Sequence, residues 1–158
     1  MDNQLDTQLR HSIEIDDFDS GLAAIEGGCN PNIADRSGNT LMARAAFCGN
    51  VEVARKLRSI GADLNSTDRL GLSPLHLAVQ ERRIEVIRIL LDSGALVDPQ
   101  DRHGNTPLSR AVFQFKNDDT SKAIIDFLIK SGADLDKSNK HGSTPRKLAE
   151  IMENGPLL

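Results

Sequence analysis

Few side chains in this chain combine the types and spacings that chemistry needs. Cys29 and Cys48 are too few and too casually spaced for a disulfide framework or a zinc site, and no base near Cys48 in sequence marks it as a nucleophile. His103 and His141 stand in like contexts, "DRHG" and "NKHG", which raises the question of a shared metal. There is no phosphate-cradling glycine loop, no His-Glu metal motif and no nucleophile elbow. The expectation is a non-enzyme with no catalytic residue, metal site or cofactor. The chemistry that does recur is a cation: Arg36, Arg69, Arg102 and Lys140 each follow an Asp or Asn in a "DR" or "NK" pair. A row of such charges attracts carboxylates.

What positions that row is an internal repeat. Gly38, Gly71 and Gly104 lie 33 residues apart, as do Asp35, Asp68 and Asp101, and Gly28, Gly61 and Gly94 keep the same interval. Gly142 breaks the register, 38 residues after Gly104. Each block opens on turn chemistry, "DRxG", with Asp bonding backward to backbone and Gly free to take positive φ. Thr106 or Ser73 then serves as N-cap, with Pro107 or Pro74 in the first helical turn. A second helix follows with apolar residues at period 3.6: Val51, Val53, Ala54 and Leu57; Ile84, Val86, Ile87, Leu90 and Leu91; Ile124, Ile125, Leu128 and Ile129. The "GAD" segments at Gly61 and Gly132 stop it. Helix pairs this short need stacking to supply their core.

The period, "SPLHLAV" at 73–79, "NTPLSRAV" at 105–112, "GADLN" at 61–65 and "GADLD" at 132–136 together resemble the ankyrin repeat family, over about residues 16 to 152. Leu41 departs from the pattern by replacing Pro, and of the first-helix histidines only His76 remains. The resemblance implies an all-α solenoid of helix-turn-helix repeats with β-turn fingers. We expect a single domain over 1–158, with three central repeats at 35–67, 68–100 and 101–138. A degenerate N-terminal cap occupies about 1–34 and a truncated C-terminal cap 139–158. His76 is expected to be structural, bonding turn backbone, and Cys29, in the Ala place of "GAD", to be buried.

Aligning "AVFQFKNDDTSKAIIDFLI" with "AVQERRIEVIRILL" leaves about Phe115 to Asp119 unpaired, an insertion in the turn between two helices. Phe115 either folds back over its own enlarged loop or offers an aromatic anchor to a partner. Phe113 shares a column with Phe47 and Gln80, which in ankyrin-like stacks faces the concave groove. Arg44 and Arg110 match on the first helices and could carry positive charge into that groove. The implied contact surface therefore joins the tips (Arg36, Arg69, Leu70, Arg102, His103, Lys140) to the finger bases Asn39, Leu72 and Asn105. The groove adds Arg44, Phe47, Gln80, Arg110, Phe113 and Gln114, with Phe115 beside it. His103 and His141 fall on adjacent tips about 10 Å apart, a helix-packing distance, which argues against one shared ion.

The net charge of -4 is uneven: residues 1–34 carry seven acids against Arg10, and the remainder 16 acids against 18 bases. A solvated acidic face is the plain reading. The basic row lacks interleaved aromatics, so nucleic acid is not the expected partner. No apolar run could span a bilayer and the start has no secretory pattern, so a cytoplasmic chain without membrane contact is expected. The family resemblance implies protein–protein interaction, with a partner carrying acidic or mixed acidic and apolar features. Such a partner could be a toxin neutralised by an immunity-type protein, or a regulated enzyme. Self-association as a structural protein is the other alternative, against a chain that is monomeric when free.

Overall fold

The computed structural model describes residues 3–152 together with Gly155, Pro156 and Leu158. Among these residues are nine helices and one isolated β-bridge, Ala34 to Thr40. The helices are α1 (Gln4–Ile15), α2 (Phe18–Glu26), α3 (Leu41–Cys48), α4 (Val51–Ser59), α5 (Pro74–Gln80), α6 (Ile84–Asp92), α7 (Pro107–Phe113), α8 (Asp119–Lys130) and α9 (Pro145–Ile151). The first helices of successive repeats start in the same way. Thr40, Ser73, Thr106 and Thr144 are buried N-caps whose hydroxyls accept a backbone N–H three residues on. Pro74, Pro107 and Pro145 fill the first helical position, and Leu41 begins α3 under its Thr40 cap without a proline.

Helices α3, α5, α7 and α9 pack one on the next as an inner row, and α4, α6 and α8 form an outer row behind them. This is an all-α repeat solenoid. Small buried residues, Ala45, Ala46, Ala78 and Ala111, let the inner row pack closely. The outer row supplies the bulk: Leu57, Ile87, Leu90 and Leu128 are fully buried. Burying each such side chain stabilises the stack by about 1.5–3 kcal/mol before entropy is counted. One apolar cluster runs continuously from Leu9 to Ala149. Cys29 sits in the same buried place as Ala62, Ala95 and Ala133, and burial, with Asp6 nearby, pushes its thiol up to about 11. Among the described residues no helix is long and apolar enough to cross a membrane.

His76 is fully buried and bonds backbone on both sides, as expected. Ser73 N–H donates to its Nδ1 at 3.2 Å, which leaves Nε2–H to donate to the Asn105 carbonyl at 3.0 Å, in the next repeat. Burial holds this imidazole below its ordinary pKa, hence neutral. A further ladder crosses the repeats at Asn32, Asn65 and Asp98, again 33 apart. Their side-chain oxygens accept from the backbone N–H groups of Asp63, Leu96 and Asp134 at 2.8–2.9 Å.

The insertion divides. Only Glu81, Arg82 and Arg83 separate α5 from α6, whereas Gln114 to Asp118 separate α7 from α8. That accounts for two extra residues; the other three lengthen α8, which has 12 residues against 9 in α4 and α6. The cause is local: Asp118 caps Ser121 N–H at 2.8 Å, one turn earlier than the repeat pattern places a cap. Arg82 holds that same carboxylate at 2.6–2.7 Å, pinning the enlarged turn to its neighbour.

Candidate partner-binding surface

Each finger is a closed loop built on one acceptor. Asp35, Asp68, Asp101 and Asn139 use Oδ1 to accept the N–H groups two and four residues ahead, at 2.8–3.0 Å. These bonds run forward along the chain, not backward as the turn chemistry alone suggests. Successive fingers are then joined: Arg69, Arg102 and Lys140 N–H donate to the carbonyls of Ser37, Leu70 and His103 at 2.9–3.0 Å. Gly71 shows why the position is glycine. Its φ is +77, and an added Cβ would sit 2.9 Å from Arg102 N.

This stitching sets the basic residues on one edge. Arg36, Arg69, Arg102 and Lys140 are all exposed at their tips. Arg36 has Glu14 at 4.0 Å but its side chain is 92% exposed, whereas Arg69, Arg102 and Lys140 have no carboxylate partner among the described residues. Leu70, 43% exposed, adds an apolar contact between them. His103 and His141 stack with centroids 6.4 Å apart and planes 27° from parallel, closer than the expected spacing of about 10 Å between tips; Arg102 Nε donates to His103 Nε2 at 3.0 Å. No group of three or more His, Cys, Asp or Glu among the described residues is arranged to hold a metal ion.

The two matched groove arginines are already engaged. Arg44 makes a two-pronged contact with Asp16, both bonds 2.7 Å, and lies 5.0 Å over the Phe47 ring. The Arg44 hydrogen bonds hold the Asp16 carboxyl below its ordinary pKa. Arg110 reaches Gln80 Oε1 at 2.8 Å and Asp101 Oδ2 at 3.1 Å. Burial pushes the Asp101 carboxyl up, but the Asn105 and His103 N–H groups outweigh it and hold it down, so it stays charged opposite Arg110. The acidic amino-terminal part is accordingly no simple solvated face: Glu14, Asp16 and Glu26 meet Arg36, Arg44 and Lys56 of the repeats that follow.

Other expected contact residues divide by exposure. Leu72 is buried with Ala43 and Leu77, and Phe47 packs half-buried against that cluster. Asn39, Gln80 and Asn105 are half-buried, and Asn139 Nδ2 donates to Asn105 Oδ1 at 2.8 Å. Phe115 turns inward against the main core, the arrangement in which it covers its own loop. Phe113 does the opposite and is 72% exposed. Beside it opens a cleft of about 410 Å³ between α7 and α9, to which Asn105, Arg110, Phe113 and Gln114 all contribute. Leu148, Ser143 and Asn139 form its other wall, residues the sequence reading left out although the repeat register puts Leu148 in the Arg44 and Arg110 column. Cys48 is a free, half-buried thiol raised by burial and by Asp16, the reverse of an activated nucleophile.

A family model of ankyrin repeats in three copies matches residues 60–139, and a model of the single ankyrin repeat matches residues 37–69. Ankyrin repeats are generally protein–protein interaction modules and typically non-enzymatic. The matched segments take in the finger tips from Leu70 to Asn139, the inner helices α3, α5 and α7 and the outer row beside them. On that match and on the stacked fingers and helix pairs it coincides with, the chain belongs to the ankyrin repeat family.

Proposed function

We propose that this chain is a non-enzymatic binding module that holds a partner protein along its fingertips and concave inner row. The observation that carries the reading is the line of exposed basic tips at Arg69, Arg102 and Lys140, without a carboxylate partner among the described residues, with Leu70 exposed at a tip and Phe113 exposed on the inner row. A partner with carboxylates and a few apolar side chains complements such an edge. Exposed ion pairs contribute only about 0.2–1 kcal/mol each, so the tips mainly steer encounter and select the partner. We read the α1–α2 pair and the α9 unit as caps flanking three central repeats.

The test is affinity capture from the source cell with identification by mass spectrometry. It compares the natural chain with a variant carrying Arg69→Glu, Arg102→Glu and Lys140→Glu. A protein retained by the first and lost by the second, with affinity falling as salt rises, is the expected outcome. Equal retention by both removes the fingertips from the reading. The identity of the captured protein separates a toxin antagonist from a regulator of a cellular enzyme.

A further inference from the structure

One column of the inner row changes character along the stack. Phe47, Gln80, Phe113 and Ile151 occupy equivalent positions in successive repeats. At one end Phe47 is occupied, packed on Ala43, Leu72 and Leu77 with the Arg44 guanidinium over its face. In the middle Gln80 is held by Arg110. At the other end Phe113 and Ile151 stand 72% and 77% exposed, and the 410 Å³ cleft lies beside Phe113 with Leu148 in its wall. The groove is filled where it begins and open where α7 meets α9.

The surroundings specify an occupant. The two fingers that wall the cleft carry Arg102 and Lys140 at their tips, both exposed. The first finger's carboxylate, Asp101, is buried and spent on Arg110, and the second has the neutral Asn139 in that place. Glu150 is the one acid on α9, and the exposed Lys147 of the same helix stands against it, so the two described finger tips beside the cleft are cations without an acid of their own finger to offset them. Gln114 Oε1 and Arg110 Nε have no hydrogen-bond partner, but both atoms are buried, so the cleft offers a ligand its apolar wall and the finger charges rather than these groups.

We propose that the cleft between α7 and α9 receives a short extended segment of a partner protein, in which a large apolar residue is flanked by aspartate or glutamate. The apolar residue packs between Phe113 and Leu148, and the carboxylates face Arg102 and Lys140. This rests on the partner-binding reading above and assigns its apolar anchor point.

The probe is a random twelve-residue peptide library displayed on phage and panned on the immobilised full chain. The best peptides are then made synthetically and titrated by fluorescence polarisation. Enriched peptides pairing Leu, Ile, Phe or Trp with nearby Asp or Glu are expected. Their affinity should drop about tenfold or more in Phe113→Ser with Ile151→Ser, both already exposed and so dispensable for folding, and less steeply in Arg102→Glu with Lys140→Glu. Circular dichroism checks that each variant is folded. Peptides that bind the Phe113→Ser, Ile151→Ser chain as well as the natural one, yet are lost on Arg69→Glu, leave the general reading standing and overturn this one. Basic or purely polar enriched peptides also overturn it. Absence of any enrichment counts against both. A concentration-dependent dimer in sedimentation, abolished by Phe113→Ser, would assign the cleft to a second copy of the chain instead.

Discussion

Replacing Gly71 by alanine isolates what the contact between fingers is worth. Gly71 has φ +77, and its new Cβ would lie 2.9 Å from Arg102 N and 3.1 Å from the Asp101 carbonyl carbon. Those atoms are backbone of the next finger and cannot turn aside as a side chain could. Two costs follow. Left-handed backbone with a Cβ costs about 1–2 kcal/mol. Pushing the fingers apart weakens the Arg102 N–H to Leu70 carbonyl bond, 2.9 Å long, worth about 0.5–1.5 kcal/mol net. The sum is about 1.5–3.5 kcal/mol, which in a domain of this size lowers Tm by about 3–14 °C. Gly94 in the same repeat is the control, with φ +86 but nothing within 4 Å of an added Cβ. Gly94→Ala bears only the backbone cost, about 1–2 kcal/mol. Urea titrations followed by far-ultraviolet circular dichroism compare the two. Equal midpoints for Gly71→Ala and Gly94→Ala would refute the argument that the fingers are held in contact.

Leu90→Ala empties a fully buried place in the outer row and should cost about 2–5 kcal/mol, read as a lower urea midpoint. His76, whose pKa burial lowers in the folded chain, makes stability depend on pH with a definite sign. The unfolded chain takes the proton first, so the stabilisation is complete above the ordinary histidine value of about 6.5 and declines as pH falls below it toward the folded value. Urea midpoints at about pH 7.5 and about pH 5.5 should differ less in His76→Gln than in the natural chain. Asp16→Asn removes the partner of Arg44, and with both side chains partly exposed the loss should be about 0.2–1 kcal/mol. Because the Asp16 pKa is lowered on folding, that contribution is present above the ordinary aspartate value and lost as pH falls through the folded one.

The helix pairs, their caps at Ser73 and Thr106 and the structural role of His76 were legible because each depends on residues within a few positions of one another. The period then multiplied those local signals. What the sequence hid were pairings across the stack. Glu14 with Arg36 and Asp16 with Arg44 look from composition like an acidic segment followed by a basic one. Only the docking of α1 and α2 beside the first full repeat turns that imbalance into contacts. The insertion shows a different limit. Counting residues locates five extra ones, but whether they enlarge the turn or lengthen α8 depends on which carboxylate caps it. Asp118 wins that competition with Arg82 already bound to it. The Asn32, Asn65 and Asp98 ladder was visible at the same spacing as the glycines, yet an amide or acid in a loop gives no hint that it reaches into the next repeat.

The stack is sewn along both edges. On one side the fingers share backbone bonds from Ser37 to Lys140; on the other Arg83 Nε donates to the Phe47 carbonyl at 3.1 Å and Arg82 grips Asp118. The helix pairs α3–α4, α5–α6 and α7–α8 can therefore neither splay nor slide without breaking bonds on both seams, so their relative placement is set before anything touches the inner row. A ligand that bound this surface as proposed would have little of it left to order. The conformational part of the entropy lost on binding would then fall mainly on the ligand, and affinity gained by stiffening should come from a partner segment constrained in its bound shape rather than from changes to this chain.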